Sequence, residues 1–266
     1  MMPTITKITT QTKRTDRYNI FIDEKYSFSV DEDVLLKFQL KKGKEIDALL
    51  LSQIQFHDNI QKSFTDALGY LSYRMRSEAE IRLYLKQKGI EEPIIHETIH
   101  RLYQYNYLND LDFAKAYVRT HVNGGNKGPV VLQRELKEKG ISDPLIQQAL
   151  LEYPFDVQID HAKHLANKSI KKEKAISERA LLQKLEHMLS RKGFSRDVIV
   201  IALEGVTIEK DEQEEWDSLC YQAEKIIRRY RAYEGFLFQQ KVKQALFRKG
   251  FSLELIERYL NELEGE

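Results

Sequence analysis

Three strings in this chain carry residue types that could do chemistry. The first is His96-Glu97-Thr98-Ile99-His100, the HExxH spacing in which two imidazoles share one helical face to hold zinc while the glutamate serves as base. A third ligand is wanting. The extended string would place glycine at Tyr103 and histidine at Asn106, so a zinc hydrolase would have to recruit a downstream carboxylate such as Glu135. The second string, Gly124-Gly125-Asn126-Lys127-Gly128-Pro129, is glycine-rich enough to approach a phosphate. It lacks the Gly-Lys-Ser/Thr ending and the preceding strand of a nucleotide loop, so it reads as a flexible interhelical connection whose Lys127 can still touch an anion. The third feature is Cys220, a lone cysteine without the clustered histidine or acid that would make it a nucleophile. No dinucleotide fingerprint occurs. No catalytic residue, cofactor or metal ligand is therefore assigned, and the chain reads as a protein that binds rather than catalyses.

The residues suited to binding are cations. Net charge is only +1 although 31% of residues are charged, which suits long solvated helical faces. Local clusters stand out against that balance: Arg74 and Arg76; Arg119; Lys127; Lys168, Lys171, Lys172 and Lys174; and Arg228, Arg229 and Arg231. Between His161 and Ile208 there are ten Lys or Arg against five Asp or Glu, followed by the acidic stretch Glu209 to Glu215, which reads as a linker and candidate hinge. Any one cluster is ordinarily just a solvated face. Recurrence on tandem units aligns equivalent side chains along one surface, and such a surface suits phosphates. Tyr103, Tyr105 and Tyr107 have two readings, stacking on bases or filling helix junctions, of which the junction is the commoner.

The elements that carry these residues are set by a repeat. Leu85–Ile90 (LKQKGI), Leu136–Ile141 (LKEKGI), Leu189–Phe194 (LSRKGF) and Leu246–Phe251 (LFRKGF) share one pattern, with Gly89, Gly140, Gly193 and Gly250 spaced 51, 53 and 57 residues apart. Eight and four residues before each glycine lie Ile81 and Leu85, Leu132 and Leu136, Leu185 and Leu189, and Val242 and Leu246. Beyond the glycines, Ile94-Ile95, Leu145-Ile146, Val198-Ile199 and Leu255-Ile256 hold one register, completed by Ile99, Leu150, Leu203 and Leu260. This spacing predicts two amphipathic helices joined at a left-handed glycine, with the preceding lysines Lys88, Lys139, Lys192 and Lys249 complementing the helix C-terminus.

Start signals agree. Ser77-Glu78-Ala79-Glu80 is a capping box, Ser195 and Ser252 are N-caps, and Pro93, Pro129 and Pro144 fall at first helical positions. A third apolar stripe precedes each pair, as at Phe64, Ala67, Leu68 and Leu71. In this frame Ile95 and Ile99 are core positions, which sets the HExxH string inside an ordinary repeat helix.

Residues 1–57 differ in kind. Alternation at Tyr18 to Ile22 and Tyr26 to Val30, around Asp23-Glu24-Lys25, predicts a hairpin, with a third strand at Ile5 to Thr12. Short helices follow, one from Asp31 or Asp33 through Phe38 and one from Asp47 to Phe56. The expected fold class is mainly α. A small β-containing N-terminal unit (1–57) precedes four three-helix repeats (58–108, 109–153, 154–207 and 208–266) in an elongated, curved, solenoid-like array. With one cysteine, no apolar leader and no long apolar run, a cytoplasmic protein that neither enters nor crosses a membrane is expected.

The LxxKG-[IF] array, the segment Ala67-Leu68-Gly69-Tyr70-Leu71-Ser72-Tyr73-Arg74-Met75-Arg76-Ser77-Glu78, and Tyr107-Leu108-Asn109-Asp110 with Phe113-Ala114 together resemble the RecX family, bacterial regulators of the recombinase RecA. The resemblance covers essentially the whole chain. Its fourth unit and β-containing start are similar to the longer members from low-GC Gram-positive bacteria. What it implies is a non-enzymatic, monomeric regulator in recombination, repair and the SOS response. Such a protein binds the RecA–single-stranded DNA filament, damps ATP hydrolysis and strand exchange and favours disassembly, touching bare single strands weakly and in a salt-sensitive way. The rival is an autonomous helix-turn-helix DNA reader. Its recognition helices would be basic, whereas Glu91 to Leu102 carries more acid than base and Pro144 to Leu151 carries no charge.

Overall fold

The structure, a computed structural model, describes residues 2–12, 15–173, 175–206 and 212–264. They form two compact units, Met1–Ala114 with Lys137–Leu145 and Lys115–Leu136 with Ile146–Glu266.

The first unit opens with strands β1 (Ile5–Thr10), β2 (Arg17–Ile22) and β3 (Lys25–Asp31), an antiparallel sheet in the order β1-β2-β3. Asp23 and Glu24 take positive φ at the hairpin tip, as a tight two-residue turn demands. Asp31 caps the short helix α1 (Glu32–Lys37), its carboxylate accepting from the Asp33 N–H. Sheet and helix enclose Ile5, Ile20, Val30, Val34 and Leu40 against Ile54.

Ile54 belongs to α2 (Ala48–Leu71), and here the structure departs from expectation. Asp47 caps the helix as anticipated, but the helix does not stop at Phe56. It runs unbroken past residue 57 into the first repeat, because nothing between Phe56 and Leu71 breaks it and both halves have a core to face. Its buried Asp58 accepts from Arg17 at 2.9 Å and from the Asp31 N–H at 2.9 Å, tying the helix to the start of β2 and the end of β3. Burial pulls the Asp58 carboxyl up, yet bonds from Arg17 and Lys62 outweigh it and hold it below the ordinary carboxylate range.

The repeats follow as α3 (Glu78–Gln87) and α4 (Glu92–Gln104); α5 (Asp110–Gly124), α6 (Pro129–Glu138) and α7 (Asp143–Leu150); α8 (Phe155–Ile170), α9 (Glu178–Arg191) and α10 (Arg196–Glu204); and α11 (Glu212–Tyr230), α12 (Gly235–Arg248) and α13 (Leu253–Glu264). The C-terminal half of α2 serves as first helix of the first repeat. Local signals act where the sequence puts them. Ser77 forms the full capping box with Glu80, Ser195 and Ser252 accept from backbone N–H groups at their helix starts, and the four turn glycines have φ between +78° and +91°. The phased apolar positions are buried: Ile81, Leu85, Ile95 and Ile99 in one repeat, and Val242, Leu246, Ile256 and Leu260 in another. At about 1.5–3 kcal/mol for each fully buried side chain, these stripes outweigh the caps in stabilising a repeat.

Successive repeats are fastened by a joint that recurs three times. In the first unit the Ser77 hydroxyl donates to Lys139 O at 2.8 Å while accepting from the Glu80 N–H, and Lys139 Nζ reaches Glu80 Oε1 at 3.2 Å. The Lys-Gly turn of one repeat thus sits on the start of the middle helix of the repeat before it. In the second unit the Gly128 N–H donates to Lys192 O at 2.7 Å, and the Val130 N–H to Gly193 O at 3.1 Å. Further along, the Ser177 hydroxyl donates to Lys249 O at 2.6 Å. The approach is close enough that a Cβ on Gly140 would lie 2.4 Å from Ala79 Cβ, and one on Gly193 would lie 2.6 Å from Val131 N. The two ends of the series lack the contact. Gly89 has nothing within 4 Å of where its Cβ would be, and α12 starts with Glu234, which makes no side-chain cap, and with Phe236, 80% exposed.

Candidate nucleic-acid interface

Nearly all the candidate cations fall at one place in the repeat, the end of the first helix and the connection to the second. Arg74 and Arg76 follow α2, Lys127 follows α5, Lys168, Lys171 and Lys172 finish α8, and Arg228, Arg229 and Arg231 finish α11. A helix C-terminus favours cations, so the dipole explains the phase. Lys174 lies outside the described residues, as do Glu209 to Asp211 of the expected acidic hinge. Arg119 stands apart, within α5.

Their surroundings divide them. The Arg74 guanidinium makes two bonds of 3.1 Å to Glu80, and this pairing raises its pKa. Lys127 is similarly committed: its ammonium lies 2.6 and 2.8 Å from the Glu135 oxygens, and Tyr117 donates to the same carboxylate at 2.8 Å. Burial raises Glu135, but Lys127 and Tyr117 prevail and its pKa is lowered; His121 is lowered by burial and by Lys127. Arg76 stacks on Tyr70 at 3.8 Å, and Tyr70 lies flat on Tyr84 at 4.0 Å. These three cations are engaged within the protein by a carboxylate or a ring. By contrast Lys168, Lys171, Lys172, Arg229 and Arg231 are exposed, Arg119 is 59% exposed with its nearest carboxylate at 3.9 Å, and Arg228 is 82% exposed. Within the α8–α9 connection Glu173 is taken up by Lys184, which leaves the neighbouring lysines facing solvent.

The strings with catalytic spacing resolve differently. His96 and His100 share the outer face of α4 while Ile95 and Ile99 are buried, as the repeat frame requires. Glu135 is occupied by Lys127, His100 bonds Gln104, and no group of three or more His, Cys, Asp or Glu able to hold a metal forms among the described residues. The zinc-hydrolase alternative through His96, Glu97 and His100 is corrected accordingly. Burial and nearby acids, Asp217 foremost, push the Cys220 thiol up, the reverse of an activated nucleophile.

The glycine-rich string proves to be a built part of a joint. Gly128 is pressed against Gly193, where a Cβ would collide with its backbone at 2.3 Å. Sequence reasoning missed this role; the available signal was a small residue, Ser77, Gly128 or Ser177, at the cap of each middle helix that receives a turn. Three of the four turn lysines have a further duty besides complementing the helix C-terminus: Lys88 pairs with Asp66 at 2.8 Å, Lys139 with Glu80 and Lys192 with Asn126 O, each ammonium binding a neighbouring element. Tyr105 and Tyr107, read as junction fillers, are 63% and 55% exposed.

A three-stranded sheet heading a series of three-helix repeats, with exposed cations in phase, defines a class of helical repeat proteins. Family profiles match across the chain: the regulatory protein RecX N-terminal domain at residues 3–47, the first RecX three-helix domain at 64–102, the second at 109–150, and the third twice, at 156–203 and 212–260. The chain is 51% identical to the regulatory protein RecX of Bacillus subtilis over 99% of its length and 100% of that protein, and 46% identical to that of Halalkalibacterium halodurans over 98% and 100%. A crystal structure of a regulatory protein RecX is similar with a TM-score of 0.71 at 36% identity, covering 76% of this chain and all of the other. RecX from Lactobacillus salivarius is similar with a TM-score of 0.54 at 35% identity, over 56% of this chain and 96% of the other. The chain belongs to the RecX family. No helix among the described residues is long and apolar enough to cross a membrane.

Proposed function

We propose that this chain regulates RecA by binding the RecA–single-stranded DNA filament, damping its ATPase and strand exchange and favouring disassembly. Membership of the family of regulatory proteins RecX is the observation that carries the reading. The recurrence of solvent-facing cations at one phase of the third and fourth repeats supports a mechanism. Those side chains meet phosphates of the bound strand, while the mixed charge along the remaining surface meets the recombinase. Inhibition follows if these contacts are stronger in an inactive filament geometry than in the active one. The protein acts without a cofactor, as a cytoplasmic monomer, through the N-terminal unit and the four repeats given above.

The test is RecA ATP hydrolysis on single-stranded DNA, with the wild-type chain and with Lys168→Glu/Lys171→Glu/Lys172→Glu. The wild type should inhibit, and the variant should need a several-fold higher concentration while keeping its helicity. Unchanged inhibition would remove the α8–α9 connection from the site. A wild type that leaves RecA untouched and binds a specific duplex most tightly would abandon the reading for the helix-turn-helix alternative.

A further inference from the structure

In the first unit an open groove of about 420 Å³ lies between α1, α2 and the end of α4. One wall is aromatic. Phe64, Tyr105 and Tyr107 lean on one another with ring centroids 5.8, 6.2 and 6.4 Å apart, tilted by 47° to 62°. Asn106, between the tyrosines, takes φ +58°, a left-handed kink in the backbone that carries Tyr105 and Tyr107. The rest of the lining carries a chain of hydrogen bonds: Gln61 Nε2 donates to Asp33 Oδ2 at 3.0 Å, and Arg101 Nη1 donates to Gln61 Oε1 at 3.1 Å. Gln104 completes the lining.

We infer that this groove binds an unstacked nucleobase of single-stranded DNA. The inference rests on the filament reading above and adds to it a contact with the bases. The exposed tyrosine faces supply stacking surface, which tolerates any base, and the Asp33, Gln61 and Arg101 wall supplies acceptors and donors for a base edge. A phosphate is disfavoured by the Asp33 carboxylate in the wall. An apolar peptide anchor is disfavoured because no aliphatic side chain lines the groove and four of its seven residues are polar.

The test measures binding of fluorescent oligo(dT), and of an abasic oligonucleotide of equal length, across a salt series. Tyr105→Ala/Tyr107→Ala should weaken oligo(dT) binding by about tenfold or more, the loss of base–aromatic stacking, with the salt slope unchanged because no phosphate contact is removed. Binding of the abasic strand should not change. Tyr105→Phe/Tyr107→Phe, which keeps the ring faces, should behave as wild type. Equal oligo(dT) affinity in the alanine variant would overturn the inference, and so would an equal loss on the abasic strand. If RecA inhibition fell while oligo(dT) affinity held, the groove would belong to a protein contact, which also overturns it. Failure of the regulator reading is distinguishable, since the wild type would then leave RecA ATPase unaffected.

Discussion

Substituting alanine at Gly193 and at Gly89 isolates the joint from the turn. Both glycines end a middle helix in the same conformation, with φ of +87° and +78°. Alanine at either position bears the left-handed penalty of about 1–2 kcal/mol. At Gly89 that is the whole cost, because nothing lies within 4 Å of the added methyl. At Gly193 the methyl would stand 2.6 Å from Val131 N and 2.8 Å from Val131 Cγ2, so the turn must back away from α6. Retreat forfeits the bonds from Gly128 N–H and Val130 N–H, about 1 kcal/mol each, and the distortion of packed atoms adds about 1–3 kcal/mol more. The expected destabilisation is about 4–7 kcal/mol at Gly193 against about 1–2 kcal/mol at Gly89. Urea unfolding followed by far-UV circular dichroism reads the difference in midpoints. Equal shifts for the two variants would refute the claim that these turns hold neighbouring repeats together.

Further outcomes are expected of the buried pair and of the joint. Arg17→Met leaves the buried Asp58 charge without its main partner and should cost about 3–5 kcal/mol in the same assay. The folded pKa of Asp58 is depressed, so its contribution is complete above the unfolded value near 3.8 and lost as pH falls through the folded one. Wild-type urea midpoints should therefore hold from neutrality to about pH 5 and drop at lower pH, less steeply in Arg17→Met; a profile unchanged by the substitution would count against the pair. Ala79 and Phe236 occupy the same position at the starts of α3 and α12. Ala79→Phe should cost about 1–3 kcal/mol by driving a ring into the Gly140 turn, while Phe236→Ser should stay within about 0.5 kcal/mol in thermal unfolding.

The repeat was legible because its signals are local. A glycine that must be left-handed, a Ser-x-x-Glu cap and leucines four apart act within a turn or two of chain, and each appears where its spacing puts it. The helix across residue 57 was hidden because Asp47 to Phe56 and Phe64 to Leu71 face different cores, so their stripes look like two elements. The candidate site was legible as charge and phase only. Sequence shows that Arg74 and Lys127 are cationic; it does not show Glu80 and Glu135, six and eight residues on, positioned to take them. Nor does it show that Tyr105 and Tyr107 stand exposed, since the same residues filling a junction would have read identically.

The joints also impose an order of completion. The carbonyl that receives the Ser77 hydroxyl lies 62 residues downstream, and the one that receives Ser177 lies 72 residues downstream. A chain made from its N-terminus therefore exposes each new helix start before the turn that will seat on it has been translated. Every repeat but the last waits, half finished, for its successor, and the molecule matures one module behind the ribosome.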